Sequence, residues 1–278
     1  MRCPFCGAEF EAPPGRRFYA CPYCGTVVSE GRVYEDVYVF QPRVDKTGAF
    51  RQALYLRPTG APEDLPTATL TKATLHFLPL YLYYVSFPPL DMLASHVAAL
   101  AVSNPPVRLP KSYVFPARWR MPFKPSLNRA GVFHAPDLDP ADALNARRDL
   151  FDEVYAYADV FKIRVRAEWR LEGIVYYPLW ELEYLYHGKS YEAVVDAVDG
   201  SVLYLEYPLS GRGRAYGLGA ALAVVLGAAA FGSLVASFFN LQPLKGGLGG
   251  AVASLGAVAR LAAFSLSAKG RYEAGQRL

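Results

Sequence analysis

"YYPLWELEYLYHGKSYEAVVDAVDGSVLYLEYP", residues 176–208, is the stretch whose reading decides the fold. Trp180, Leu182, Tyr184 and Tyr186 fall on one side of an alternating pattern, as the buried face of a strand requires. His187-Gly188-Lys189 supplies a turn, Tyr191 to Asp196 reads as the returning strand, and Asp199-Gly200 is a second tight-turn signal. Tyr207-Pro208 ends the run, because proline cannot donate to a ladder. The segment is an antiparallel meander of three or more strands. Turn chemistry accounts for the paired carboxylates Asp196 and Asp199 better than acid–base work does.

The same reading extends outward. In Phe161–Glu172, Phe161, Ile163, Val165, Ala167, Trp169 and Leu171 alternate with charged residues, which predicts a strand with one wet face. Val33–Phe40 reads as another strand, and Thr47–Leu56 as a short helix capped by Thr47. "FLPLYLYYVSF" (Phe77–Phe87) echoes "YYPLWELEYLY" (Tyr176–Tyr186), with Pro79-Leu80-Tyr81 set against Pro178-Leu179-Trp180. The echo raises the expectation of two related β units.

A chain that is 53% hydrophobic, with 20 Tyr and 16 Phe, is not a disordered one. A net charge of +4 is too small to announce a nucleic-acid protein. All four Cys lie in the first 24 residues, which argues against a disulfide scaffold. No apolar run follows Met1, so no signal peptide and a reducing compartment are expected.

Cys3 and Cys6 form one C-x-x-C and Cys21 and Cys24 another, with 14 residues between the pairs. Four thiolates at this spacing suit one tetrahedral zinc ion. Gly7 and Gly25 follow the pairs and allow the tight turns that aim amides at sulfur. Redox motifs of the thioredoxin kind need a preceding strand and a following helix, and neither fits here. Over residues 1–30, Arg2, Arg16 and Arg17 balance Glu9, Glu11 and Glu30, and a zinc tetrathiolate adds about two negative charges. Such a module grips phosphate poorly, so a protein-contacting or structural ribbon is favoured over a nucleic-acid one.

The stretch "RLPKSYVFPARWRMPFKPSLNR" lies in a region without acids, Met92 to Pro136. Its cations are Arg108, Lys111, Arg118, Arg120, Lys124 and Arg129, interleaved with Tyr113, Phe115, Trp119 and Phe123, with Phe133 just beyond. Three readings are open: loops with core aromatics, a membrane-surface contact, or a grip on single-stranded nucleic acid. The acidic run Asp137–Glu153 stands ready to neutralise it.

From Ala215 to Leu244 there is no charged residue, and Tyr216–Phe239 would span about 36 Å as a helix. Gly247–Ala268, with Arg260 inside it, is a second candidate span. Small residues at Gly219, Ala223 and Gly227 would let helices of neighbouring copies pack into a homo-oligomer. Arg212 and Arg214 before the pair, and Lys269, Arg271 and Arg277 after it, would keep both termini cytoplasmic. Catalytic signatures are missing: no G-x-x-x-x-G-K-[ST], no H-E-x-x-H and no G-x-S-x-G, with four scattered His. No enzyme is expected.

"CPFCG…CPYCG" resembles the ribbon of transcription-factor-IIB type. Together with Tyr177-Pro178-Leu179-Trp180 and Val198-Asp199-Gly200, it makes the chain similar to prokaryotic zinc-ribbon membrane proteins with a terminal hairpin. Those proteins often accompany stomatin/flotillin-like scaffolds and phage-shock-type proteins. Their Asn-Gly-x-Thr-Gly-Lys element is replaced here by Asp196–Ser201. The resemblance implies zinc, a membrane location and a scaffold partner.

The expected architecture is α+β: a zinc ribbon over 1–32, a β-rich soluble region of antiparallel meanders over 33–210, and a transmembrane helical hairpin over 211–278. The expected role is a two-span cell-membrane adaptor that binds a protein partner. A membrane-tethered nucleic-acid binder is the alternative, with nucleic acid disfavoured.

Overall fold

The computed structural model describes residues 1–11, 15–110, 113–116, 120–124, 130–239, 242–254, 256 and 269–275. The N-terminal part carries β1 (Phe18–Ala20), β2 (Val27–Ser29), β3 (Arg32–Val33), β4 (Val37–Val39) and α1 (Lys46–Tyr55). The middle carries β5 (Thr69–Ser86), β6 (Ser95–Leu100), β7 (Met121–Pro122), β8 (Val132–Phe133), α2 (Pro140–Asn145) and α3 (Asp152–Val160). Then come β9 (Glu168–Tyr186), β10 (Lys189–Asp196), β11 (Val202–Pro208), α4 (Gly211–Phe238), α5 (Pro243–Ala253) and β12 (Lys269–Glu273).

β5 and β9, of 18 and 19 residues, pair antiparallel from Thr69↔Leu185 to Ser86↔Glu168. Both are rich in the aromatic and branched residues that suit a pleated, half-buried surface. On the outer side of β9 come β10, β11 and β12, each antiparallel to the last, while β4 lies parallel against Ile174–Tyr176. On the outer side of β5 lie β6, antiparallel, and β8, parallel at His76 and Phe77. The two segments that echo each other in sequence are direct partners. Leu78 faces Tyr177, with Phe77 opposite Pro178 and Pro79 opposite Tyr176. A local two-fold axis through that pair places β6 and β8 about β5 as it places β10 and β4 about β9.

Alternation along the two long strands feeds separate cores. Leu78, Leu80 and Leu82 join Val175, Tyr177 and Leu179 in one, closed by Phe40 and Phe115. Phe77, Tyr81 and Tyr83 join Ile174 and Tyr176 in another, where residues of α2 and α3 also pack. Nearer the β9–β10 turn, Leu182, Tyr184 and Tyr191 pack on Ala49, Ala53 and Leu54 of α1. The turn between β9 and β10 holds His187 and Gly188 at φ of 47° and 74°, the primed geometry that matches strand twist.

Several expectations are corrected. The ladder of β9 starts at Glu168, not Phe161. Ile163, Val165 and Ala167 do rest half-buried on the core, so the alternation reports burial without a hydrogen-bonded neighbour. The strand expected over Val33–Phe40 divides, since Arg32–Val33 pair with β2 while Val37–Val39 join the large sheet. The cap of α1 is Asp45, whose carboxylate accepts the Gly48 amide at 2.8 Å, and not Thr47.

The C-terminal expectation fails more deeply. α4 and α5 pack on each other as a helical pair. Among the described residues, however, no helix is long and apolar enough to cross a membrane. That finding overturns the transmembrane hairpin, the two-span topology and the cell-membrane location with both termini cytoplasmic. Freedom from charge is not apolarity: of the 25 residues Ala215–Phe239, 12 are Gly or Ala, which bury little apolar surface. α5 has 11 residues, about 17 Å of helix against a hydrocarbon core of about 30 Å. The rest of the second expected span, residue 255 and residues 257–268, lies outside the described residues. The basic segment after it is no free tail: Lys269–Glu273 form β12, paired from Lys269↔Pro208 to Glu273↔Tyr204.

At Gly173 the backbone just before β4 comes close to β9. A Cβ there would sit 2.5 Å from the Asp36 carbonyl oxygen, which accepts the Ile174 amide at 2.8 Å. Gly173→Ala is therefore expected to cost about 1–3 kcal/mol in urea unfolding, because the two backbones must part. Gly188→Ala has open space at its Cβ and tests only the turn geometry.

Candidate metal centre

Each pair of cysteines sits on the same local fold. The Cys3 amide donates to Ala8 O and the Gly7 amide to Cys3 O; likewise the Cys21 amide donates to Thr26 O and the Gly25 amide to Cys21 O. Gly7 and Gly25, at φ of 76° and 72°, make these two knuckles possible. Strands β1, β2 and β3 form the small sheet of the ribbon.

The four sulfurs converge, with Cys3 Sγ 3.8 Å from Cys24 Sγ and Cys6 Sγ 3.8 Å from Cys21 Sγ. All four lie within 4.8 Å of one another. A disulfide would bring two sulfurs to about 2.05 Å, so these are free thiols. Metal–sulfur bonds of about 2.3 Å in a tetrahedron put sulfurs about 3.8 Å apart, which is the spacing observed. The cluster can therefore hold a metal ion. The Thr26 hydroxyl lies 3.2 Å from Cys24 Sγ, placed to donate to a thiolate.

The thiols are not alike. Burial pushes Cys3 up, but amide hydrogen bonds from Cys6 and Phe5, with the neighbouring Cys6 and Cys21, bring it down to about 7. Burial pushes Cys21 up to about 12. A divalent cation removes that resistance by taking the charge of the thiolates directly.

The ribbon is fastened to the β body by Phe18, which is buried with its ring 4.9 Å from Tyr34 and 5.8 Å from Tyr81 of β5. Val27 is buried in the same core. The knuckle tips point the other way: Phe5 is 59% exposed and Tyr23 is 68% exposed.

The described cations of the basic stretch have different surroundings. Arg108 donates to Glu206 at 3.1 Å, lies 3.7 Å from Glu192, and stacks on the Tyr204 ring at 5.1 Å. Glu206 is buried, which pushes its carboxyl up, but hydrogen bonds from Lys269 (2.9 Å) and Tyr204, with the charges of Lys269 and Arg108, hold it below the usual range. Arg108, in a loop, thus neutralises a carboxylate on β11. Arg120 lies over the Tyr38 ring at 4.9 Å, and Lys124 is exposed. Lys111, Arg118 and Arg129 lie outside the described residues, as does Trp119. Phe115 is buried beside Tyr177, Phe133 stacks on Phe77 at 4.1 Å, and Phe123 packs on Phe133 at 5.5 Å. Rings held in cores cannot also stack on bases.

Two polar clusters were not visible in the sequence. Asp196 is buried and accepts from Tyr177 (2.5 Å), Tyr113 (2.6 Å) and the Val198 amide (2.7 Å). Burial raises its carboxyl despite these bonds. His76, also buried, lies 2.9 Å from His134 Nε2 through Nδ1 and 3.0 Å from Glu181 through Nε2. A neutral His76 that donates through Nε2 to Glu181 accepts at Nδ1 from His134 Nε2–H, so one tautomer sets the next along the chain.

No family model matches the chain, and neither a curated protein nor a solved structure does. The class defined by fold and site is a cysteine ribbon able to hold a metal, joined to a β-rich body. No match supports the transcription-factor-IIB type or a stomatin association, which rest on the quoted motifs alone.

Burial, and then the neighbouring His76, lower the pKa of His134. A His depressed in the fold adds stability above its unfolded value, about 6.5, and that stability is lost as pH falls through the folded value. Unfolding free energy should drop below about pH 6.5, and His134→Gln should flatten part of that drop. Urea titrations at pH 5–8 of both proteins check it. Equal slopes would mean that His134 does not gain from being neutral.

Proposed function

We propose that the chain is a zinc-ribbon adaptor: the ribbon holds one zinc ion, and its knuckle face binds a protein partner. The chain acts by binding and not by catalysis. The observation that carries this reading is the split within the ribbon. Phe18 and Val27 are buried in the body, while Phe5 and Tyr23, at equivalent places in the two knuckles, stand in solvent. Aromatic side chains on rigid turns lose little entropy on docking and serve as interface anchors. Tetrahedral sulfur sites take zinc or iron; a redox-silent structural role and the C-x-x-C spacing favour zinc.

The charge pattern supports protein over nucleic acid. Over residues 1–33, Arg2, Arg16, Arg17 and Arg32 against Glu9, Glu11 and Glu30 give the ribbon +1, which a zinc tetrathiolate turns to about −1, and Arg108 is engaged by Glu206.

Two measurements test this. Elemental analysis of protein purified under reducing conditions should give about one zinc per chain and none after Cys21→Ser; less than about half an equivalent, or iron in its place, contradicts the zinc. A photo-crosslinking amino acid at Phe5 or Tyr23 should give one discrete protein adduct in cells, lost when Cys21→Ser is added. Adducts with nucleic acid alone, or none from either position, would refute the adaptor reading.

A further inference from the structure

Between α3 and β9, residues 163–167 form an extended segment without a strand partner. Ile163, Val165 and Ala167 rest half-buried on the core, while Arg164 and Arg166 stand in solvent. Both ends are fixed. At the close of α3, Lys162 takes a φ of 54°, and the amides of Lys162 and Ile163 donate to Asp159 O and Ala158 O at 3.1 and 2.8 Å. At the other end Glu168 enters the ladder opposite Ser86.

The ladder stops there for a reason that lies in β5. Its chain continues as Phe87-Pro88-Pro89, and proline has no N–H to give. Among the described residues, the backbone groups from Arg164 to Ala167 make no hydrogen bond. Water must satisfy them. An edge that is already extended and held at both ends is a template for one more strand.

Charge selects which strand. Lys162 and Arg170 are engaged, by Asp159 at 3.2 Å and by Glu172 at 3.1 Å. Arg164 and Arg166 have no ion pair among the described residues, against a single unpaired acid on the same face, Glu168. Standing two residues apart, the two guanidiniums meet alternate positions of an added strand, which share one side of it. Carboxylates at those positions would make charge-assisted pairs, and apolar residues between them would continue the half-buried side.

We propose that residues 163–167 dock an extended acidic segment of a partner protein, added as a strand. Its carboxylates lie opposite Arg164 and Arg166, and its intervening residues are apolar. This surface goes beyond the adaptor reading and stands without it, since none of its residues belongs to the ribbon.

The test uses the metal-loaded full chain and a labelled, end-blocked peptide, Val-Glu-Val-Glu-Val-Glu, followed by fluorescence anisotropy and hydrogen exchange. The peptide should bind saturably and slow exchange at the amides of residues 164–167. Its counterpart with Lys in place of Glu should bind on the order of tenfold more weakly. The acidic peptide is also N-methylated, once at its valines and once at its glutamates, which keeps every charge. One of the two forms should lose binding, because alternate amides point to one edge. Arg164→Glu together with Arg166→Glu, at exposed positions, should reverse the preference between the Glu and Lys peptides. No saturable binding, equal affinity for the two peptides, binding that both N-methylated forms keep, or protection that arises only outside residues 164–167 would each overturn the proposal. So would concentration-dependent protection of this edge in the chain without peptide, which would make a second copy its occupant.

Discussion

The antiparallel pairing of β5 with β9 is the constraint on which the rest of the molecule depends. It runs for almost the whole length of both strands, with register shifts only near Leu70/Lys72 and Leu82/Tyr83. Because side chains alternate, one register decides what enters each core: a slip of one residue would exchange Leu78, Leu80 and Leu82 for Phe77, Pro79 and Tyr81. Every other part takes its place from this pair. β10 and β4 need the free edge of β9, β6 and β8 that of β5, and α1 needs the face that Leu182 and Tyr184 provide.

The ribbon depends on the same pair. A module of about 30 residues has too little apolar surface for a core of its own, so metal and docking must both contribute. The docking runs through Phe18 to Tyr81, a residue of β5. Tyr81 and Tyr83 in turn hold the carbonyls of Leu138 and Pro140 at 2.8 and 2.7 Å, which fix the approach to α2. The metal site, the spine and the helical layer are therefore one connected structure. Distant charges are closed in the same manner, with Glu206 meeting Arg108 from the middle of the chain and Lys269 and Arg271 from β12.

What was legible in the sequence was local. The turns after Tyr186 and Asp196 could be read because Gly188 and Gly200 carry the positive φ that such turns demand. The metal site could be read because each knuckle is a five-residue unit repeated. Long-range pairing could not be read. Arg108 and Glu206 are 98 residues apart, and Glu181 and His76 are 105 apart, so no spacing rule links them. This is why Arg108 reads as part of an open basic strip in the sequence: its countercharge lies on β11. The C-terminal run was misread for a different reason. Absence of charge was taken as lipid affinity, although Gly and Ala make up nearly half of it, and the return of Lys269–Glu273 to the sheet edge had no local signal.

The most direct test of a ribbon welded to the spine is hydrogen exchange of the full chain with its metal and after removal of the metal by a chelator. The account predicts that loss of metal deprotects the ribbon amides at Tyr19 and Val28 and also lowers protection of β5 around Tyr81 and Tyr83, since Phe18 leaves the core when its fold is lost. β10 and β11, which the ribbon does not touch, should keep their protection. Deprotection confined to the first 33 residues, with β5 unchanged, would contradict it and make the ribbon an independent appendage.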